Sequence, residues 1–169
     1  MARALDESDV FLFLAGAAEP VAVNEAARSR FFAALEKERY LPFCRELAQY
    51  FALDESLMHA LLARIDDPGA WTRGVAPIQG FLDFEPGPAL LPLRGGFVRM
   101  QGGMLVRPHR HLDRELTVVL EGELVDDAGR SYGPGAAIDM PPGSMHSLAV
   151  PDGKQALVAL LHGQIEMLR

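Results

Sequence analysis

From Gly80 onward, proline and glycine interrupt the chain every few residues: Gly80, Pro86-Gly87-Pro88, Gly95-Gly96, Gly102-Gly103, Gly129, Gly133-Pro134-Gly135, Pro141-Pro142-Gly143 and Pro151. Such punctuation suits turns between short strands. The runs in between are β-rich, among them Phe97-Val-Arg-Met100, Leu116-Thr-Val-Val-Leu120 and Leu157-Val-Ala-Leu-Leu161. Short strands separated by Gly/Pro turns predict a sandwich or barrel. Asp126-Asp127-Ala128-Gly129 predicts a tight hairpin between Glu115–Val125 and Arg130–Tyr132.

Before residue 75 the pattern is helical. Asn24 to Lys37 is rich in helix formers. Tyr40, Phe43, Cys44, Leu47, Tyr50 and Phe51 recur at three- and four-residue steps, the apolar stripe of a second helix. Asp54-Glu55-Ser56 offers N-caps for a third, with Leu57, Met58, Leu61, Leu62 and Ile65 facing inward, and Asp67-Pro68-Gly69 stops it. The chain thus divides into a helical region, residues 1–75, and a β domain, residues 76–169. Trp71 is expected to pack one against the other. The helices must bury their stripes on each other, on the β domain or on a second subunit.

Composition narrows the function. The chain has 169 residues, a formal net charge of −7 and scattered basic residues. That balance argues against nucleic-acid and anionic-membrane partners. Cys44 is the only cysteine, so an intrachain disulfide and a Cys-rich zinc finger are both out of reach. The N-terminus lacks the layout of a secretion signal, and the apolar run Val10–Ala18 falls well short of the ~20 residues of a membrane span. A cytoplasmic protein is expected. G-x-S-x-G and G-x4-G-K-[ST] are absent, so serine-nucleophile and phosphate-loop chemistry find no support.

The chemistry concentrates in His109, His111, Glu115 and His146. Side chains alternate along a strand, so His109 and His111 point the same way. Glu115 follows a short turn, and His146 follows the Pro141-Pro142-Gly143 corner. Three imidazoles and one carboxylate suit Fe, Mn, Ni, Cu or Zn, and the carboxylate lowers the net charge with a divalent ion to about +1. Arg107 is in phase with His109. It faces either solvent at the mouth or the interior, where it could hold an anionic substrate such as a carboxylate. Tyr132, Glu121 and Gln101 are weaker candidates. Met100, Met104, Met140 and Met145 are expected as core filler near the site, Cys44 as a small buried hydrophobe and His162 as structural or solvated.

These residues resemble the paired signature of the cupin superfamily. Gly103, His109, His111, Glu115 and Gly122 match G-x5-H-x-H-x3-E-x6-G. Gly135, Pro141, Gly143 and His146 match G-x5-P-x-G-x2-H-x3-N, with Val150 in place of the final Asn. The resemblance implies a mainly β fold, a double-stranded β-helix barrel of the jelly-roll type, with a small N-terminal α-helical region. Its metal would sit near the centre on His109, His111, Glu115 and His146. Only 12 residues, Glu123 to Pro134, separate the two motifs. This spacing, with Pro108-His-Arg-His111, Val119-Leu-Glu-Gly-Glu-Leu124 and Met140-Pro-Pro-Gly-Ser-Met-His146, is similar to the cupin domain of ChrR-type anti-sigma factors, where these four positions bind zinc. The likeness runs from Val98 to Leu161. ChrR-type proteins grip a sigma factor with a helical domain whose zinc is held by His and a Cys-x-x-Cys pair. Here only Cys44 and His59 are available, so that partnership is not carried over. The resemblance implies a small-molecule-sensing, oxidant-sensing or regulatory metal domain in a homodimer. Zinc on three His and one Glu is already four-coordinate, which favours that role. The alternative is a dioxygenase-like enzyme, because six-coordinate Fe, Mn or Ni would keep two positions open for dioxygen and an organic substrate.

Overall fold

The computed structural model describes residues 25–26, 28–30, 38–75 and 78–168. The chain forms two compact units, Met1–Glu36 and Lys37–Arg169. In the first, residues 25–26 and 28–30 are helical and exposed. The rest of the helix predicted from Asn24, and the run Val10–Ala18, lie outside the described residues.

The second unit opens with a 3-10 turn, Leu41–Phe43. Helices α1 (Cys44–Tyr50) and α2 (Glu55–Ala63) follow. Among the described residues eleven strands come next: β1 (Thr72–Arg73), β2 (Ile78–Phe84), β3 (Arg94–Gln101), β4 (Leu105–His111), β5 (Glu115–Gly122), β6 (Leu124–Asp126), β7 (Ser131–Tyr132), β8 (Ala137–Met140), β9 (Met145–Ala149), β10 (Gln155–His162) and β11 (Ile165–Met167). They form two antiparallel sheets, ordered β1-β2-β3-β10-β5-β8 and β11-β4-β9-β6-β7. The mainly β fold with a small helical part is as expected.

The six-stranded sheet is buried on both faces. Along β10, Leu157, Ala159 and Leu161 join the helical core, whereas Ala156 and Val158 join the core shared with the other sheet. Along β5, Leu116, Val118 and Leu120 face the helices and Val119 faces the opposite sheet. Two covered faces explain why these strands are continuous apolar runs instead of alternating ones. The covering stripe on α2 is Met58, Leu61 and Leu62, continued by Ile65, an i, i+3, i+4, i+7 set. Leu57, expected inward, is 48% exposed, because it stands ~100° around the helix from Met58. On the preceding helix Leu47 and Phe51 are buried, while Phe43, Cys44 and Tyr50 sit at the margin.

Polar bonds fix the helices to this sheet. Trp71 Nε1 and the Arg99 guanidinium both donate to the carbonyl of Ile65, at 2.9 and 2.7 Å. Arg99 also lies 4.2 Å over the Trp71 ring, so Trp71 joins helix to sheet as expected. The Tyr40 hydroxyl donates to Glu121 at 2.7 Å.

The hairpin expected around Asp126–Gly129 joins β6 to β7, and the Asp126 carboxylate accepts from the backbone N–H groups of Ala128 and Arg130. The strand before it is not continuous from Glu115 to Val125. It breaks at Gly122, which crosses from one sheet to the other with φ +77°; a Cβ there would stand 1.8 Å from the carbonyl oxygen of Gln155. Only glycine makes that corner without strain.

Candidate metal centre

The end of β4 carries His109 and His111 inward, 2% and 0% exposed. Pro108, which cannot donate to a ladder, sits where the β4–β9 register shifts, between Val106 and His109. Pairing then resumes with His109 directly opposite His146 on β9. The Pro141–Ser144 turn holds the end of β4 from outside: Gly143 N–H donates to the carbonyl of His111, and His111 N–H donates to that of Ser144. Gly143, at φ +87°, makes this turn. Glu115 arrives from the other sheet as the first residue of β5.

These four side chains converge. One ligand atom from each of His109, His111, Glu115 and His146 lies within 4.8 Å of the other three. The imidazole centroids are 4.7, 4.7 and 4.8 Å apart, with the rings inclined by 67–69°. Glu115 reaches two of them: Oε1 is 3.6 Å from His146 Nε2 and Oε2 is 3.8 Å from His111 Nδ1. Both separations exceed a hydrogen bond. Ligand bonds of ~2.1 Å at tetrahedral angles place donor atoms ~3.4 Å apart, close to these values.

Both ring nitrogens of His111, and Nε2 of His146, are buried without a hydrogen-bond partner. Unpaired buried polar atoms are costly, and three in one cluster call for an explanation. A cation at the centre would supply a partner. His109 Nδ1 lies 2.9 Å from the carbonyl oxygen of Arg107. That carbonyl can only accept, so Nδ1 carries the proton and Nε2 keeps its lone pair. Metal-binding histidines are commonly oriented by such a bond. Charge states suit the same purpose. Desolvation lowers the pKa of His111 and the other two imidazoles add to this, while Glu115 opposes it. Burial pushes the Glu115 carboxyl up, but contact with His146 and the surrounding imidazoles outweigh burial and hold it below the usual carboxylate range. A neutral imidazole beside an ionised carboxylate is the protonation pattern that metal ligation needs.

His109, Glu115 and His146 also line a cavity of about 420 Å³ between the two sheets. Its wall is mostly apolar, with Met100, Met104, Leu148, Val150 and Val158 among the contributors. Val150, standing where the motif has Asn, is 2% exposed, so a hydrocarbon surface replaces an amide there. Arg107 lines the cavity while remaining exposed, which places it at the mouth. His162 lines it too, half-buried. Tyr132, Glu121 and Gln101 do not reach it: Tyr132 donates to Asp126, Glu121 accepts from Tyr40, and Gln101 is exposed at the end of β3. Met140 and Met145 are likewise off the cavity wall, and Met145 is 55% exposed. Residue-by-residue reading overlooked Thr117, buried on the cavity wall with its hydroxyl 3.4 Å from Glu115. Alternation from Glu115 was signal enough to find it. It also overlooked Ile165 and Met167, on a strand too short for any pattern. Among the described residues no second His/Cys/Asp/Glu group of three or more forms, and the Cys44 thiol donates to the carbonyl of Glu55 instead.

Residues 95–166 match the family model of the ChrR cupin-like domain. Among solved structures, the complex of Rhodobacter sphaeroides SigE with the anti-sigma ChrR is 19% identical, covering 92% of this chain and 76% of that one, with a TM-score of 0.54. A Ralstonia eutropha protein of unknown function with a cupin-like fold is 18% identical over 43% of this chain and 47% of its own, with a TM-score of 0.40. The chain thus spans about half the length of that protein. KdgF from a Halomonas species is 19% identical over 59% of this chain and 92% of its own, with a TM-score of 0.48. No curated protein sequence matches. No described helix is long and apolar enough to cross a membrane.

Proposed function

We propose that this protein is a metal-binding ChrR-like cupin in which His109, His111, Glu115 and His146 hold one divalent ion, zinc, inside a jelly-roll barrel. Its role is that of a regulatory domain sensing a small molecule or an oxidant. One observation carries the reading: buried imidazole nitrogens without partners surround an ionised carboxylate. Bound there, a divalent ion supplies a Lewis-acidic centre. The chain's own groups do the rest. The Arg107 carbonyl keeps the His109 proton on Nδ1, Glu115 supplies the compensating charge, and the apolar wall excludes water. A cytoplasmic homodimer completes the proposal. SigE is the partner of ChrR; a sigma-factor partner is not proposed here, because Cys44 and His59 are too few for the helical zinc site.

The cavity favours a second reading, a dioxygenase-like enzyme on a small organic substrate. Its volume falls within the ~300–1,000 Å³ of small-molecule sites, and three of the four candidate ligands line it.

Metal analysis of the full chain, purified without chelators, tests both readings. About one zinc per chain is expected, and His146→Ala should lose most of it. An unchanged metal-to-protein ratio in that variant would overturn the ligand assignment. Iron, manganese or nickel with substrate-dependent oxygen uptake would favour the enzyme.

A further inference from the structure

The cavity wall and its mouth carry chemistry that a metal cage alone does not require. The rim is apolar and exposed: Val75, Leu105, Ile165 and Met167 are 85, 58, 44 and 47% exposed, and all four line the cavity. Soluble domains seldom expose a group of large apolar side chains at a cavity entrance without a ligand or partner for them. Inside, the wall is mostly hydrocarbon, with Thr117 and His162 the polar side chains besides Arg107 and the His/Glu cluster. Among the described residues Arg107 is the only Arg or Lys on the wall. None of the ion pairs among the described residues engages it, whereas Arg39, Arg45, Arg110, Arg114 and Lys154 are all paired. Arg107 stands two residues from His109 on the same strand, and its carbonyl accepts a hydrogen bond from His109 Nδ1–H. Arg107 and His109 therefore line the same cavity from one strand.

We infer that the cavity binds a small amphiphile with a hydrocarbon body and a single anionic head, such as a carboxylate. The body lies against Met100, Met104, Leu148, Val150 and Val158, which remove it from water. The head lies between Arg107 and the cage. A divalent ion with one carboxylate leaves a net charge of about +1, and Arg107 adds a second positive charge. A guanidinium also matches a carboxylate in shape, with two parallel hydrogen bonds. A cationic head would meet repulsion at that end. A neutral head would leave Arg107 without an anion. A short anion such as acetate would leave the hydrocarbon wall uncovered. The inference rests on the metal-cage reading for one of its two positive charges, and on Arg107 alone for the other.

The test uses the full chain with its metal content measured on the same sample. Decanoate, decanol, decyltrimethylammonium and acetate are titrated by calorimetry, with melting temperature as a second readout. Decanoate should bind and raise the melting temperature, and the other three should bind at least tenfold more weakly or not at all. Arg107→Gln, on an exposed side chain, should leave the metal content unchanged and weaken decanoate about tenfold, the scale of one charge-assisted bond. Val106→Trp, filling the cavity from its half-buried edge, should abolish binding with the metal retained. Metal-loaded protein that ignores decanoate, or that binds decanol or decyltrimethylammonium equally well, would overturn the inference and leave the metal reading standing. A rim covered by a second copy of the chain would give the same negative titration, with Leu105→Asp converting a dimer to monomer, and would also overturn it. Metal-free protein that still binds decanoate through Arg107 would support the amphiphile site and sink the metal reading instead.

Discussion

At the scale of single residues, the cluster sets its own pH limits. Unfolded His111 titrates near the ordinary imidazole value of 6.5, whereas burial lowers the folded value. The unfolded chain therefore takes up that proton first, and the His111 contribution to stability, complete above pH 6.5, is lost as pH falls. Glu115 is also depressed when folded, so its contribution is lost at still lower pH. Metal-free protein should accordingly show a lower urea midpoint at pH 5.5 than at pH 7.5, and His111→Phe should flatten that difference. Protons also compete with a metal for the same nitrogens, so acidification should release bound metal over the same range. Gly122→Ala is expected to cost more than about 2 kcal/mol in denaturant unfolding, since it combines a left-handed φ with a backbone clash. The four cluster residues were legible because alternation and a turn suffice to aim them. Thr117 was equally legible and went unread. The cavity as a whole was not legible: Val98, Leu124, Leu148 and Val158 lie on four strands whose meeting depends on register.

At the scale of elements, the six-stranded sheet is the domain's central layer. The apolar runs Leu116–Leu120 and Leu157–Leu161 identified strands, but a run without alternation does not say what covers each face. Helices α1 and α2 cover one face and the opposite sheet covers the other. Residues on the helical side should therefore matter as much as those lining the cavity. Phe97 is fully buried, 5.2 Å from the Phe84 ring, which in turn lies 5.1 Å from Phe51. Phe97→Ala is expected to destabilise by about 3–5 kcal/mol. Leu57→Ala, on the exposed side of α2, should stay within about 0.5 kcal/mol. Urea unfolding of the two variants checks both values. The break at Gly122 escaped notice for a similar reason: turn chemistry marked the hairpin at Asp126–Gly129, whereas a single glycine between Glu121 and Glu123 does not say that the strand changes sheets.

At the scale of the molecule, the two sheets differ in how they are supported. The six-stranded sheet has helices behind it. The five-stranded sheet carries three of the four cluster residues, and Glu115 alone crosses from the other side. A metal held there would tie one sheet to the other. Chelation should therefore loosen the molecule unevenly. In hydrogen exchange, amides of β4 and β9 should lose protection first, while those of β3, β5 and β10 stay protected by the helical core. Uniform loss across both sheets would contradict this division. The turn at Pro141–Ser144 adds a mechanical consequence. It lies on the outside of the molecule, yet its two backbone bonds to His111 make it continuous with the strand that bears two imidazoles. A pull on that turn from without would move His111 within, so if the cluster holds an ion the loop would be an external handle on it, and whatever grasped it would gain leverage over that grip.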